Sequence, residues 1–85
     1  MKRTRPLSKY FTDVRKKSGM SQWDLATSLG YTSPQMVSNW ERDLCSPPIE
    51  AVRKMTKLFR LSKDEVLNVF NREMQEKYNI RKGAL

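Results

Sequence analysis

The chain has 85 residues, 17 Lys plus Arg against 9 Asp plus Glu, no His and one Cys, giving a formal net charge of +8. This length supports one domain with a single modest core and leaves no room for a buried substrate cleft under lids. Without His, and with Cys45 alone, there is no zinc constellation, no internal disulfide and no nucleophile–base pair, so neither a metal, a cofactor nor an enzymatic activity is expected. The cationic excess calls for a partner dense in phosphate. An anionic membrane is the weaker explanation, because no apolar run approaches the roughly 20 residues of a spanning helix. The opening MKRTRPLSKY has no hydrophobic signal region, so the chain is expected to stay in the cytoplasm.

Taken in chain order, residues 1–6 (MKRTRP) carry three cations and a Pro without periodicity, and read as a flexible basic arm. Arg3 and Arg5, with no apolar neighbours to order them, are expected to enter a narrow minor groove or cover phosphates. A first helix is predicted from about Ser8 to Ser18-Gly19, with Leu7, Phe11 and Val14 spaced for a core face. Ser21 is a good N-cap for a second helix whose Leu25, Ala26 and Leu29 share one side, and Gly30 supplies the positive φ that ends it.

Ser33 followed by Pro34 repeats the helix-start signal, because Pro at the first helical position sacrifices no needed hydrogen bond. A third helix therefore begins within about four residues of the second. On it Val37, Trp40 and Glu41 share one face, while Gln35, Asn39 and Arg42 recur at i, i+4 and i+7 on the opposite one. That outward stripe is amide, amide, guanidinium, the groups whose donors and acceptors match base edges in the major groove and phosphate oxygens. Two short helices and a tight turn in this order form a DNA-reading device.

The loop from Asp43 to Pro48 is irregular, and Cys45 within it reads as a small half-buried residue. Pro47-Pro48 opens a fourth helix with Ile49, Val52, Met55, Thr56 and Phe59 along one side. Ser62 and Glu65 form a capping box for a fifth, whose apolar stripe uses Val66, Leu67 and Phe70 and continues through Met74 and Tyr78. No alternation or hairpin dipeptide marks a strand. The expected fold is all-α, a five-helix bundle, with a basic tail at residues 79–85 that frays beyond a domain spanning 7–78.

The S-Q-x-x-L-A run at Ser21–Ala26, the S-N-W-E-R run at Ser38–Arg42 and the following Pro47 resemble the helix-turn-helix of the phage repressor and Cro family, also called the xenobiotic-response-element or XRE family. The resemblance spans about Leu7 to Phe70. In two places the chain departs from the family pattern: the turn between Gly30 and Val37 looks one residue longer than the commonest form, and Asp43 stands where the family often has Gly.

The resemblance implies that Gln35 and Asn39 read bases, flanked by Ser33 and Met36, where Met36 either touches a thymine methyl or packs inward. It implies that Gln22, in the first turn of its helix, holds a phosphate. Arg42, Lys9, Lys16 and Lys17 would add sequence-blind attraction, and Trp23, pointing away from Leu25 and Ala26, would reach a phosphate with its indole N–H. It also implies an Arg15–Glu41 pair that braces the first helix against the reading helix.

The expectation is a sequence-specific regulator of double-stranded DNA, a repressor of phage, prophage or bacterial origin. It would bind its operator as a homodimer through Met74 and Tyr78. The alternative is an antitoxin or adaptor acting mainly through a protein partner held by the fifth helix.

Overall fold

The computed structural model describes residues 5–77 as five helices: α1 (Pro6–Lys17), α2 (Gln22–Ser28), α3 (Gln35–Glu41), α4 (Ile49–Leu58) and α5 (Lys63–Lys77). No strand occurs among the described residues, and the architecture is an all-α bundle. Arg3, Tyr78 and the expected tail at 79–85 lie outside the described residues.

The start of α1 corrects the expected arm. Pro6 occupies the first turn of the helix and Arg5 is its N-cap, so both belong to the fold. The Arg5 backbone N–H donates to Asp43 Oδ1 at 3.1 Å, and its Nη1 donates to Ser46 Oγ at 3.0 Å. An Arg held at its backbone N–H and at its guanidinium is not free to sweep a groove. Pro at this position loses nothing, because the first N–H groups of a helix have no intrahelical acceptor.

α2 starts as expected, on a closed capping box. Asp24 N–H donates to Ser21 Oγ at 2.9 Å, and Ser21 N–H donates to Asp24 Oδ2 at 3.0 Å. Those bonds from Ser21 hold the Asp24 carboxyl below the usual carboxylate range. At the start of α3 the register moves by one residue: Pro34 sits at the N-cap instead of the first helical position, while Ser33 Oγ still accepts the Gln35 N–H at 3.3 Å. The Ser62–Glu65 box keeps the bond from Glu65 N–H to Ser62 Oγ, 3.3 Å. The Glu65 carboxylate lies beside the Tyr10 hydroxyl on α1, and burial together with that carboxylate pushes the Tyr10 pKa up.

The first four helices end alike. Met20, Tyr31, Leu44 and Leu61 each donate their backbone N–H to a carbonyl five residues back, on Arg15, Ala26, Asn39 and Thr56 respectively, at 2.9–3.2 Å. This closure needs a left-handed residue just before the donor. Gly19 (φ 73°) and Gly30 (φ 91°) take it without penalty, but Asp43 (φ 61°) and Arg60 (φ 53°) carry a Cβ there.

The core gathers Leu7, Phe11, Leu25, Ala26, Leu29, Val37, Trp40, Ala51, Val52, Met55, Val66 and Val69. α1 packs against α5 and α3, and α3 also packs against α2. Three expectations about facing change. Val14 is only half-buried, and Arg15 takes the inward position beside it. Ile49, expected on the core side of α4, is 53% exposed while Ala51 is buried.

On α5 the inward residues are Val66, Val69 and Glu73, with Phe70 half-buried, and Leu67 is 55% exposed. The reason is Glu73. Its Oε1 accepts the Leu7 N–H at 3.1 Å and its Oε2 accepts Ser46 Oγ–H at 3.0 Å. A carboxylate with two donors at the positive end of α1 is a tolerable burial, and seating it rotates Val69 inward and Leu67 outward.

Replacing Arg60 by Gly is expected to stabilise the fold by about 0.5–1 kcal/mol, because the left-handed strain outweighs the extra unfolded-state freedom of Gly. The same change at Asp43 also removes the acceptor of the Arg5 N–H, so its net effect should be near zero. Urea midpoints of the two variants beside the parent check the contrast. Equal gains would mean that the Arg5–Asp43 bond contributes nothing.

Candidate nucleic-acid interface

α2 and α3 stand on either side of a turn held by stacking and backbone bonds. After Gly30, the Tyr31 N–H returns to Ala26 O at 2.9 Å and its ring meets Trp40 edge-on at 5.9 Å, 71° between planes. Trp40 is 3% exposed, so the turn is clamped onto the buried side of α3. With Val37 and Trp40 inward, the opposite face of a seven-residue helix is left to solvent.

That face carries a linked set of polar groups. Gln35 Nε2 donates to Asn39 Oδ1 at 2.9 Å, and Arg42 Nη2 donates to the same oxygen at 3.2 Å. Asn39 is thus oriented from both sides, with its amide N–H groups left for something else. Gln35 and Arg42 are exposed, and Asn39 is half-buried by its two partners. Ser33 is exposed at the head of the helix. Met36 is half-buried and packs against the core, the inward of its two expected placements.

Behind α3 lies the brace. Arg15 Nε donates to Glu41 Oε2 at 2.7 Å and Arg15 Nη2 to Glu41 Oε1 at 3.0 Å, a two-point contact in which the side chains are 10% and 12% exposed. The third guanidinium nitrogen, Nη1, donates to Met20 O at 2.7 Å. Gln22, expected at a phosphate, instead turns its Nε2 to Glu41 Oε1 at 2.8 Å. One carboxylate therefore accepts three N–H donors and ties α1, α2 and α3 together. The first turn of α2 still faces out, but its Gln is committed to this joint because an acceptor with charge and little water competes well for an amide.

The remaining expected residues are less closely gathered. Trp23 is 54% exposed on α2, and Lys16 and Lys17 are exposed at the end of α1. Lys9 pairs with Asp13 at 3.3 Å on an exposed face. Met74 is half-buried on α5, away from α3 in sequence and in packing.

Sequence reasoning missed the joint formed by Arg5, Asp43, Ser46 and Glu73, which fastens the loop after α3 to both ends of the chain's described part. Its one legible signal is an acid at the position seven after Val66 on an apolar helix face. Among the described residues no cluster of His, Cys, Asp or Glu suits a metal ion.

A family model described as helix-turn-helix matches residues 12–66, a span that begins on α1 and ends on α5 and includes all of α2, α3 and α4. The chain belongs to the XRE-type helix-turn-helix family. No curated protein and no solved structure matches it. For a helix-turn-helix protein the ligand is DNA, so the chain is a DNA-binding regulator and the exposed stripe of α3 is the face to weigh against base edges. No helix among the described residues is long and apolar enough to cross a membrane.

The brace predicts a particular non-additivity. Arg15→Ala strands a nearly buried Glu41 and should cost about 3 kcal/mol. Arg15→Met with Glu41→Leu removes both charges and should cost less than Arg15→Ala alone. Chemical denaturation of the parent, Arg15→Met, Glu41→Leu and their double variant closes the cycle that measures it, and strictly additive losses would contradict the geometry.

Proposed function

We propose that this chain is a sequence-specific transcriptional repressor that reads a double-stranded operator with α3. The observation that carries the reading is the linked outward stripe Gln35–Asn39–Arg42 on a helix fixed from behind by Glu41. Gln35 keeps its Oε1 and one Nε2 N–H, which pair with adenine in two bonds, while Asn39, whose Oδ1 already accepts from Gln35 and Arg42, offers its Nδ2 N–H groups to base acceptors; the mutual bond holds both in register before DNA arrives. Ser33 and Met36 flank that contact. Arg42, Lys17 and Trp23 bind phosphates, and Gln22 keeps one amide N–H beyond its bond to Glu41 for the same purpose. Arg3 serves the minor groove or backbone; Arg5, fastened to Asp43 and Ser46, is committed to the fold instead. Family resemblance supports phage, prophage or bacterial origin and action in the cytoplasm.

Sites selected from a random duplex pool supply the test. Gln35→Ala or Asn39→Ala should cost about 1–3 kcal/mol on the selected site and little on random DNA. Asn39→Ala should be the larger loss, because it also releases Gln35 and Arg42. Arg42→Ala should weaken both duplexes and lower the salt slope by about one unit. Equal losses for all three on both duplexes would remove the assignment of base readers.

One reading helix covers only about four or five base pairs, so the repressor acts as a homodimer on half-sites a helical turn apart. Met74 and Tyr78 form the seam between copies. Sedimentation of a Met74→Glu, Tyr78→Glu variant should show monomer where the parent shows dimer, with cooperative binding to a paired site lost. If both sediment alike, the seam is elsewhere.

A further inference from the structure

A groove of about 670 Å³ runs between α4 and α5. Val52, Val66 and Phe70 make its floor, and the exposed Ile49 and Leu67 stand on its two walls. No residue of α2 or α3 lines it, so DNA held on the reading face leaves it open. An apolar trough of this kind on a small, strongly charged domain marks a contact surface.

The rim says what kind. Four cations border the groove, and two are already engaged: Arg53 with Glu50 at 3.9 Å, and Lys54 donating to Leu29 O at 3.2 Å. Lys57 and Lys63, one from each helix, have no partner among the described residues. A second copy laid groove to groove would set another rim of four cations and one carboxylate, Glu50, against the first, which a chain of net charge +8 does not favour. Nucleic acid would satisfy the lysines but leave the apolar floor uncovered. A bilayer is too flat to reach the floor between two helices. A third helix with apolar residues at i, i+3/i+4 and i+7, flanked by carboxylates, fills the trough and pairs with both rims.

We propose that the α4–α5 groove docks an acidic amphipathic helix of another protein. The docked helix buries its apolar stripe on Val52, Val66 and Phe70, with Ile49 and Leu67 closing over it. Carboxylates at the end of the docked helix nearest the α4–α5 turn meet Lys57, in the last turn of α4, and Lys63, at the start of α5. Docking and DNA reading use separate faces and proceed together.

The probe is a synthetic helical peptide of about 15 residues with a leucine stripe and glutamates elsewhere, beside a version with lysine in place of every glutamate. Amide chemical-shift mapping on the isotope-labelled full chain should place the acidic peptide on α4 and α5, with the same affinity in the presence of duplex DNA. Lys57→Glu with Lys63→Glu should weaken it about tenfold, and so should Leu67→Glu, an exposed site where the fold is not at risk. The lysine peptide should not bind.

Several results would overturn the proposal: shifts confined to α3, equal binding of the two peptides, or binding to phosphatidylserine vesicles without binding to the acidic peptide. A Leu67→Glu change that splits a dimer of the parent would also overturn it, by assigning the groove to a second copy. None of these readouts depends on which bases α3 reads.

Discussion

The Glu41 carboxylate is where the domain comes together. It sits at the last residue of α3, nearly out of water, and accepts from Nε and Nη2 of Arg15 on α1 and from Gln22 on α2. Burying a charge is unfavourable unless its lone pairs are filled, and three donors from two other helices fill them in only one arrangement. The brace therefore contributes more to position than to stability. Because α3 is only seven residues long, it has little intrinsic preference for its place, and that place is set by this joint on one side and by Val37 and Trp40 on the other. The outward stripe of Gln35, Asn39 and Arg42 inherits its aim from that.

A second buried carboxylate does the same work at the far end of the bundle. Glu73 receives the Leu7 N–H at the start of α1 and the Ser46 hydroxyl from the loop behind α3, and Ser46 in turn accepts from Arg5. Asp43, closing α3 in a left-handed conformation, accepts the Arg5 N–H. The basic start of the chain, the exit of the reading helix and the last helix are thus linked by hydrogen bonds. This is why Arg5 and Pro6, in a segment whose composition reads as a loose arm, belong to the fold: the backbone N–H and guanidinium of Arg5 both find half-buried acceptors supplied by distant residues.

The charge of the molecule is divided between two kinds of surface. On the α2–α3 side the cations stand among amides and an exposed indole, a polar face suited to the edges and backbone of a duplex. Between α4 and α5 they frame an apolar trough instead. Cations on both faces do not make the two equivalent, because what lies between the cations decides whether water or another apolar surface is the better neighbour.

How far each feature was legible in the sequence follows from the range of the interaction behind it. The count of helices, their all-α assembly, the start of α2 at Ser21, the left-handed turn at Gly30 and the inward Val37 and Trp40 are consequences of spacing and capping within a few residues, and were readable directly. The family pattern added the Arg15–Glu41 pairing, which no local rule supplies. What the chain's periodicity could not show was any choice made between distant partners. Leu67 and Val69 are equally apolar, and the rotation that hides the valine comes from Glu73 finding donors more than 25 residues away. Ile49 fits the expected face of α4 yet stays in solvent, and Gln22 fits a phosphate site yet turns to Glu41. Local chemistry determined which residues are helical and where each helix stops; the pairing of buried polar groups across the bundle decided which way each helix faces, because an unmet hydrogen bond in the interior outweighs the small difference between one apolar side chain and the next.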